Sequence, residues 1–394
     1  MKRIAILLNG TIQNDYRVIK IIQTLSLNNT IHLYYIDGDV LIDSALFNTN
    51  VSLFSTQHKV TFWTKFLRHS WFCFEFSFFQ QKVLSSGEKY DIIWANDLPT
   101  LYPASKISKR LNCKLIYDSH EIYTETLNQF FPRNSNGIKK YVYTLLIFLM
   151  RKHGVSIEKK YIPLTNVFIT VNQSLLTYFS ERYQINKGLV IMNLPKLNQQ
   201  NNQPAIDFRK RFNWEANSFI VLYQGQLNEG RGLFQLLNTL LLLENKYKLV
   251  IIGNGSIEKN LKSWVNTHSS NDRIKFIDTL STDVLQSYTR GADLGMNLLE
   301  PFNLSKKLAS PNKLFEYIHA GIPVVATNTI ENKRVFDSFS IGKLTENDPK
   351  QIAKSIKDVS IQTKLVFEEE LAKAMSNYSW DTQENIIAQI LSVQ

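Results

Sequence analysis

Short apolar runs rich in β-branched residues alternate with helical patterns along nearly the whole chain, and that alternation admits few architectures. In the first half the runs are Ile4–Leu8, Ile31–Ile36, Asp91–Ala95, Lys114–Asp118, Val167–Val171 and Leu189–Met192. Asn193-Leu194-Pro195 stops the last of these, and the polar, aperiodic Gln199-Gln-Asn-Asn-Gln-Pro204 reads as a linker. The pattern restarts with Phe219–Tyr223, Lys248–Ile252, Ile274–Ile277, Ala292–Leu298 and Pro323–Thr327. Two such sets predict an α/β protein of two doubly wound, Rossmann-like domains facing across a cleft. Ligands in such folds sit at the carboxyl ends of the strands.

The most informative single unit is Ser310-Pro311-Asn312-Lys313-Leu-Phe-Glu316-Tyr-Ile-His-Ala-Gly321, followed by the strand Pro323–Thr327. Ser310 is a natural helix N-cap, and Pro311 suits the first helical position, where its missing N–H would go unpaired anyway. The backbone N–H groups of Asn312 and Lys313 then point out of the helix end. With the helix dipole and the lysine they make a site for a diphosphate. Glu316, one turn deeper, is placed to accept hydrogen bonds from ribose hydroxyls, and Gly321 ends the helix. The plain alternative is any αβ unit of a doubly wound sheet.

Other strand ends carry candidate chemistry. Asn9-Gly10 follows the first strand, where glycine permits close backbone approach and Asp15 can cap the next helix. Tyr117-Asp118-Ser-His120-Glu121-Ile-Tyr-Thr-Glu125 ends another strand with three carboxylates and a histidine at the predicted cleft. In the second half, Tyr223-Gln-Gly225-Gln226-Leu-Asn-Glu-Gly-Arg231-Gly232 is a strand and a glycine-rich loop whose arginine either neutralises a diphosphate leaving group or stands solvated on the loop. Ile251-Ile-Gly253-Asn-Gly255 is a second glycine turn, without the full dinucleotide fingerprint.

Composition narrows the partners. Of 394 residues, 44% are hydrophobic and 20% charged, as expected of a globular chain with room for two to three domains. Cys73 and Cys113 are the only cysteines, so neither a disulfide framework nor Cys/His metal spacing is present. The first apolar run is too short for a signal peptide, and Tyr141–Met150 is too short for a membrane span. A cytoplasmic location is expected. The net charge of +11 calls for an anionic partner. No zinc spacing, ribonucleoprotein signature or basic zipper accompanies it, which argues against nucleic acid. Aromatic residues mix with cations over His58–Lys82, and Lys139, Lys140, Arg151 and Lys152 bracket Tyr141–Met150. Such belts suit the inner face of an anionic plasma membrane; the alternative is ordinary helix packing beneath solvated cations.

In order, Tyr117-Asp-Ser-His-Glu121, Gly225…Arg231-Gly232, Gly253-Asn-Gly255, Pro311-Asn-Lys-Leu-Phe-Glu-Tyr…Ala320-Gly-Ile-Pro323 and Tyr378-Ser-Trp380 resemble glycosyltransferase family 4 across nearly the whole chain. The resemblance implies the GT-B fold and metal-independent transfer, with anomeric retention, from a UDP- or GDP-linked sugar to a glycan or polyprenyl-diphosphate-linked acceptor. It implies no cofactor beyond that donor, and a role in bacterial surface polysaccharide synthesis. By position, Glu316 would bind the ribose, and Arg231 and Lys313 the diphosphate. His120 would lie beside the donor sugar, and the Gly10 loop would close over the donor. The implied domains are an acceptor-side domain 1–197, a linker 198–205 and a nucleotide-sugar domain 206–377. In the terminal segment 378–394, Thr382–Leu391 would return to the first domain.

Two positions depart from the family. Many relatives carry a glutamate eight residues before the one matched by Glu316, where this chain has Leu308; Glu300 or Asn303 would have to supply that sugar contact. A basic residue commonly follows the glycine matched by Gly225, where this chain has Gln226, so Lys306 or Lys307 would have to compensate. Two other readings stay open: a nucleotide-sugar epimerase of the same fold, and a non-catalytic nucleotide- or sugar-binding partner.

Overall fold

The computed structural model describes the chain except residues 11, 13–14, 37–45, 56–75, 128–136, 198–202, 311, 363–364 and 393–394. The chain divides into two compact units, Met1–Asn193 with Gln383–Gln394, and Leu194–Thr382.

Among the described residues the first unit holds a seven-stranded parallel sheet in the order β3-β2-β1-β4-β5-β6-β7. Its strands are β1 (Arg3–Leu8), β2 (Thr30–Tyr35), β3 (Val51–Ser55), β4 (Ile92–Asn96), β5 (Lys114–Ser119), β6 (Val167–Thr170) and β7 (Gly188–Val190). The second unit has a six-stranded parallel sheet, β10-β9-β8-β11-β12-β13. These strands are β8 (Phe219–Gln224), β9 (Tyr247–Ile252), β10 (Ile274–Ile277), β11 (Leu294–Asn297), β12 (Val324–Thr327) and β13 (Gly342–Thr345).

Each order reverses direction once, between β1 and β4 and between β8 and β11. There the crossover helices leave on opposite faces and open a crevice at the strand ends. The sequence explains the sheets: Ile4, Ala5, Ile6 and Leu7, like Val221, Leu222, Val250 and Ile251, are almost wholly buried, as strands covered by helices on both faces require.

The expected strands are present, with ends shifted by at most two residues. Two strands escaped the sequence reading, β3 and β13. Both are sheet edges with mostly half-buried residues, so neither needed a continuous apolar run. Of the aromatic stretch His58–Lys82, residues up to Glu75 lie outside the described part. In the helix that follows, Phe76–Ser85, Phe79 is fully buried and therefore serves the core rather than a surface. Among the described residues no helix is long and apolar enough to cross a membrane.

The last helix, Trp380–Ser392, begins in the second unit, where Trp380 N–H donates to Pro195 O at 2.8 Å. From Gln383 onward its residues belong to the first: Gln383 Oε1 accepts from Met192 N at 2.9 Å, and Glu384 Oε1 from Thr24 Oγ1 at 3.4 Å.

Candidate active site

In the first unit, the ends of β1, β4 and β5 gather a charged cluster around His120. Asp118, at the end of β5, is fully buried, and its Oδ1 accepts from Arg17 Nη2 at 2.6 Å. His120 Nε2 lies 3.7 Å from the other Asp118 oxygen. His120 Nδ1 lies 3.3 Å from Asp97 Oδ2 and 3.9 Å from Asp15 Oδ2. Asp15 also caps the helix Tyr16–Ser26 by accepting from Val18 N at 3.1 Å, as its position suggested.

Asp97 holds the histidine segment twice. Its carboxylate also accepts from His120 N at 3.0 Å, while its own N–H donates to Asp118 O at 2.8 Å. Its backbone sits at φ 60, ψ 166, a region that side chains other than glycine rarely enter and that costs on the order of 1–3 kcal/mol. Strain of that kind persists where surrounding bonds over-determine it, and here they do.

Electrostatics follows from this geometry. Burial alone would lower the His120 pKa, but Asp97 first and Asp118 second outweigh it and raise it to about 9. Burial would raise the Asp118 carboxyl, yet Arg17 and then His120 hold it below the ordinary range. Burial raises Asp97 against the attraction of His120. His120 is thus an imidazolium at neutral pH, held between Asp97 on its Nδ1 side and Asp118 on its Nε2 side. It is a donor, not a base.

The other acids of the Tyr117–Glu125 stretch do not join the cluster. Glu121 Oε1 accepts from Thr126 Oγ1 at 3.0 Å, and Glu125 pairs with Arg151. Gly10 stands at the end of β1, and a Cβ there would meet nothing within 4 Å.

In the second unit the helix Asn312–His319 is pinned at the switch point by Tyr317. Its hydroxyl lies 3.2 Å from Gln224 N, 3.3 Å from Met296 O and 3.4 Å from Leu222 O. Gly295 in β11 makes room for it: a Cβ there would come within 2.4 Å of the Tyr317 ring. The helix start is thereby held beside the loop after β8. Ser310 precedes it, and Pro311 is outside the described residues.

Lys313 is buried in the first turn of this helix, its Nζ 3.8 Å from the Tyr223 ring centroid and without a hydrogen bond among the described residues. Burial first, then Arg231, push its pKa well below the ordinary range, against the pull of Glu316. A cation beside the unpaired N–H groups of a helix start is disfavoured until an anion arrives. Arg231 stands between Gly230 and Gly232 and makes no hydrogen bond or ion pair among the described residues. Glu316 is held through Oε2, which accepts from Gln224 Nε2 at 2.6 Å; Gln224 Oε1 in turn accepts from Thr289 Oγ1 at 2.8 Å.

The glycine turns after β8 and β9 lock together. Gly225 N donates to Ile252 O at 2.9 Å and Leu227 N to Asn254 O at 2.8 Å. A Cβ on Gly253 would lie 2.1 Å from Gly225 O, and one on Gly255 2.4 Å from Leu227 O. Both glycines therefore bring the two loops into backbone contact.

Of the two residues expected to replace the acid lost at Leu308, Asn303 has its side-chain oxygen engaged, capping the helix Leu304–Lys307 by accepting from Lys306 N at 2.8 Å. Glu300 remains: its N–H donates to Gly230 O at 3.1 Å, beside Arg231, and its carboxylate has no partner among the described residues. Sequence reasoning missed Asp97, Arg17, Gln224 and Thr289. Asp97 and Gln224 were within reach, because both stand at carboxyl ends of strands flanking a switch point.

Comparisons with known proteins agree with this architecture. Residues 205–380 match the family model described as "Glycosyl transferases group 1". No curated protein sequence matches the chain. Among solved structures, sucrose-phosphate synthase (tll1590) from Thermosynechococcus elongatus superposes with a TM-score of 0.71 at 15% identity, covering 99% of this chain and 98% of that one. Anabaena Alr3699/HepE, solved with UDP and with UDP-glucose, gives 0.69 at 18% identity over 100% of both chains. WaaG, described as a glycosyltransferase involved in lipopolysaccharide biosynthesis, gives 0.69 at 13% identity over 99% of both. Residues 205–380, in the second unit, thus match the group 1 glycosyl transferases, and the two doubly wound sheets are those of the GT-B fold seen in these structures.

Proposed function

We propose that the chain moves a sugar from a UDP-linked donor to a polyprenyl-diphosphate-linked glycan, in the synthesis of surface polysaccharide at the inner face of the plasma membrane. The observation that carries the donor side is Lys313: a buried amine with no hydrogen bond among the described residues, at a helix start, next to the charge of Arg231. A diphosphate satisfies all three features at once. Glu316, positioned by Gln224, takes the ribose hydroxyls.

Retaining transfer passes through an oxocarbenium-like state while negative charge grows on the departing phosphate oxygen. Fixed cations aimed at that oxygen lower the barrier most, which is the part given to Arg231 and Lys313. His120, held protonated between Asp97 and Asp118, sets a positive charge beside the donor sugar and the departing oxygen. UDP is favoured over GDP by HepE, which binds UDP-glucose within the same fold; the polysaccharide context draws on WaaG.

Calorimetric titration of the wild type and Glu316→Ala with UDP, GDP, ADP and CDP, without metal, tests this. Micromolar binding of UDP, lost in the variant, is the expected result. Tight binding of another nucleotide would change the donor, and binding of none would remove the donor site from this helix. Incubating the loaded enzyme without acceptor and analysing the sugar then separates transfer from epimerisation.

A further inference from the structure

The helix Ile138–Tyr161 has two apolar faces, and the fold uses one of them. Met150, Gly154, Ile157 and Tyr161 are buried and hold its second half against the first unit. In its first three turns Ile138, Tyr141, Val142, Leu145, Phe148 and Leu149 recur at steps of three and four residues, and so share one stripe. Each is 47% to 82% exposed. A helix packed on one side ordinarily turns polar residues to the other; this one turns aromatic and branched residues outward.

Charge identifies what covers the stripe. The helix carries six lysines and arginines and a single acid, Glu158, which is buried and accepts from Tyr183 Oη at 2.8 Å. Lys139 and Lys140 stand in the first exposed turn, and Lys152 closes the stripe with its Nζ 4.5 Å from the Phe148 ring centroid. A second copy of the chain is a poor occupant, because the same lysines would meet one another with no exposed acid on the helix to pair them. Phosphate headgroups over acyl chains match both the apolar stripe and its cationic rim.

We propose that residues 138–152 form a docking face for an anionic lipid surface, lying in the interface rather than crossing it. The acceptor reading above gives this face its purpose; its geometry stands independently.

The test is co-sedimentation of the full chain with phosphatidylcholine vesicles, with and without phosphatidylglycerol. Leu145→Asp/Phe148→Asp and Lys139→Gln/Lys140→Gln are compared with the wild type. All four side chains are solvent-facing, and an unchanged thermal midpoint would show that each variant folds. The wild type is expected to partition only onto phosphatidylglycerol-containing vesicles, and less at high salt. The lysine pair should lose about 30-fold in partitioning, roughly fivefold per charge. The aspartate pair should lose at least as much. The inference is overturned if the wild type ignores phosphatidylglycerol, or if either variant partitions like it. Self-association of the wild type that the aspartate pair abolishes would also overturn it. UDP titration needs no lipid, so failure of the donor reading registers separately.

Discussion

Arg17 Nη2 donates to Asp118 Oδ1 at 2.6 Å, and the two side chains are 4% and 0% exposed. The pair ties the first turn of the helix Tyr16–Ser26 to the end of β5 and leaves the second Asp118 oxygen facing His120. Removing one member of a buried ion pair strands the other charge in the core, at a cost of about 3–5 kcal/mol. Arg17→Met should therefore lower the unfolding free energy by that much in a denaturant titration. Arg17→Met/Asp118→Leu, with neither charge left, should recover most of it. If the single variant were as stable as the wild type, the pair would contribute nothing.

His120 makes the fold sensitive to alkali. Its pKa stands at about 9 in the folded chain, against 6.5 for the ordinary imidazole, so the folded state binds this proton more tightly than the unfolded state does. The resulting stability is complete below about pH 6.5 and is lost as pH rises through about 9. Roughly 3–4 kcal/mol is at stake, at ~1.4 kcal/mol per pH unit. Unfolding measured at about pH 6 and pH 10 should show wild type losing that amount more than His120→Ala. Parallel pH dependence in the two proteins would mean that His120 is neutral throughout.

The strands could be read from sequence where burial on both faces demanded unbroken apolar runs, as at Ile4–Leu8 or Lys248–Ile252. Val51–Ser55 and Gly342–Thr345, edge strands with one neighbour each, escaped that reading, whereas the edge strands Gly188–Val190 and Ile274–Ile277 did not. The helix that carries Lys313 and Glu316 could be read because it is local: its start and both residues fall within seven positions. The cluster around His120 could not, because sheet order assembles it. Arg17 comes from the helix after β1, and Asp97 and Asp118 from the ends of β4 and β5, Arg17 and Asp118 being 101 positions apart. No local pattern marks them as neighbours. The run Tyr141–Met150 shows the converse: its apolar character was plain, but only the structure reveals that Met150 alone of the ten is buried.

Gln224 holds Glu316 at 2.6 Å, and Thr289 holds Gln224. Effects on nucleotide binding should therefore fall with distance along this chain of bonds. Gln224→Met removes the hydrogen bond that Gln224 Nε2 gives the Glu316 carboxylate and should weaken UDP binding about tenfold, the worth of one bond to a charged group. Thr289→Val acts one bond farther away and should weaken it less. Calorimetry orders the two, and a larger effect from Thr289→Val would break the proposed relay.

Lys313 gives the sharpest test, because its activity and stability effects should run in opposite directions. Its amine is buried, without a hydrogen bond among the described residues, and pushed toward the neutral form by burial and then by Arg231. The unfolded chain binds this proton more readily, so Lys313 favours the fold more as pH rises. An arriving diphosphate reverses the local field. UDP binding should draw a proton from solution, seen as a dependence of binding heat on buffer ionisation enthalpy and absent in Lys313→Met. The same variant should lose about 100- to 1000-fold in transfer rate, as when one donor to developing negative charge is deleted. Its unfolding free energy should stay level or rise, because an unbonded polar group has left the interior. A drop in stability matching the drop in rate would mark Lys313 as a packing residue and remove it from the diphosphate site.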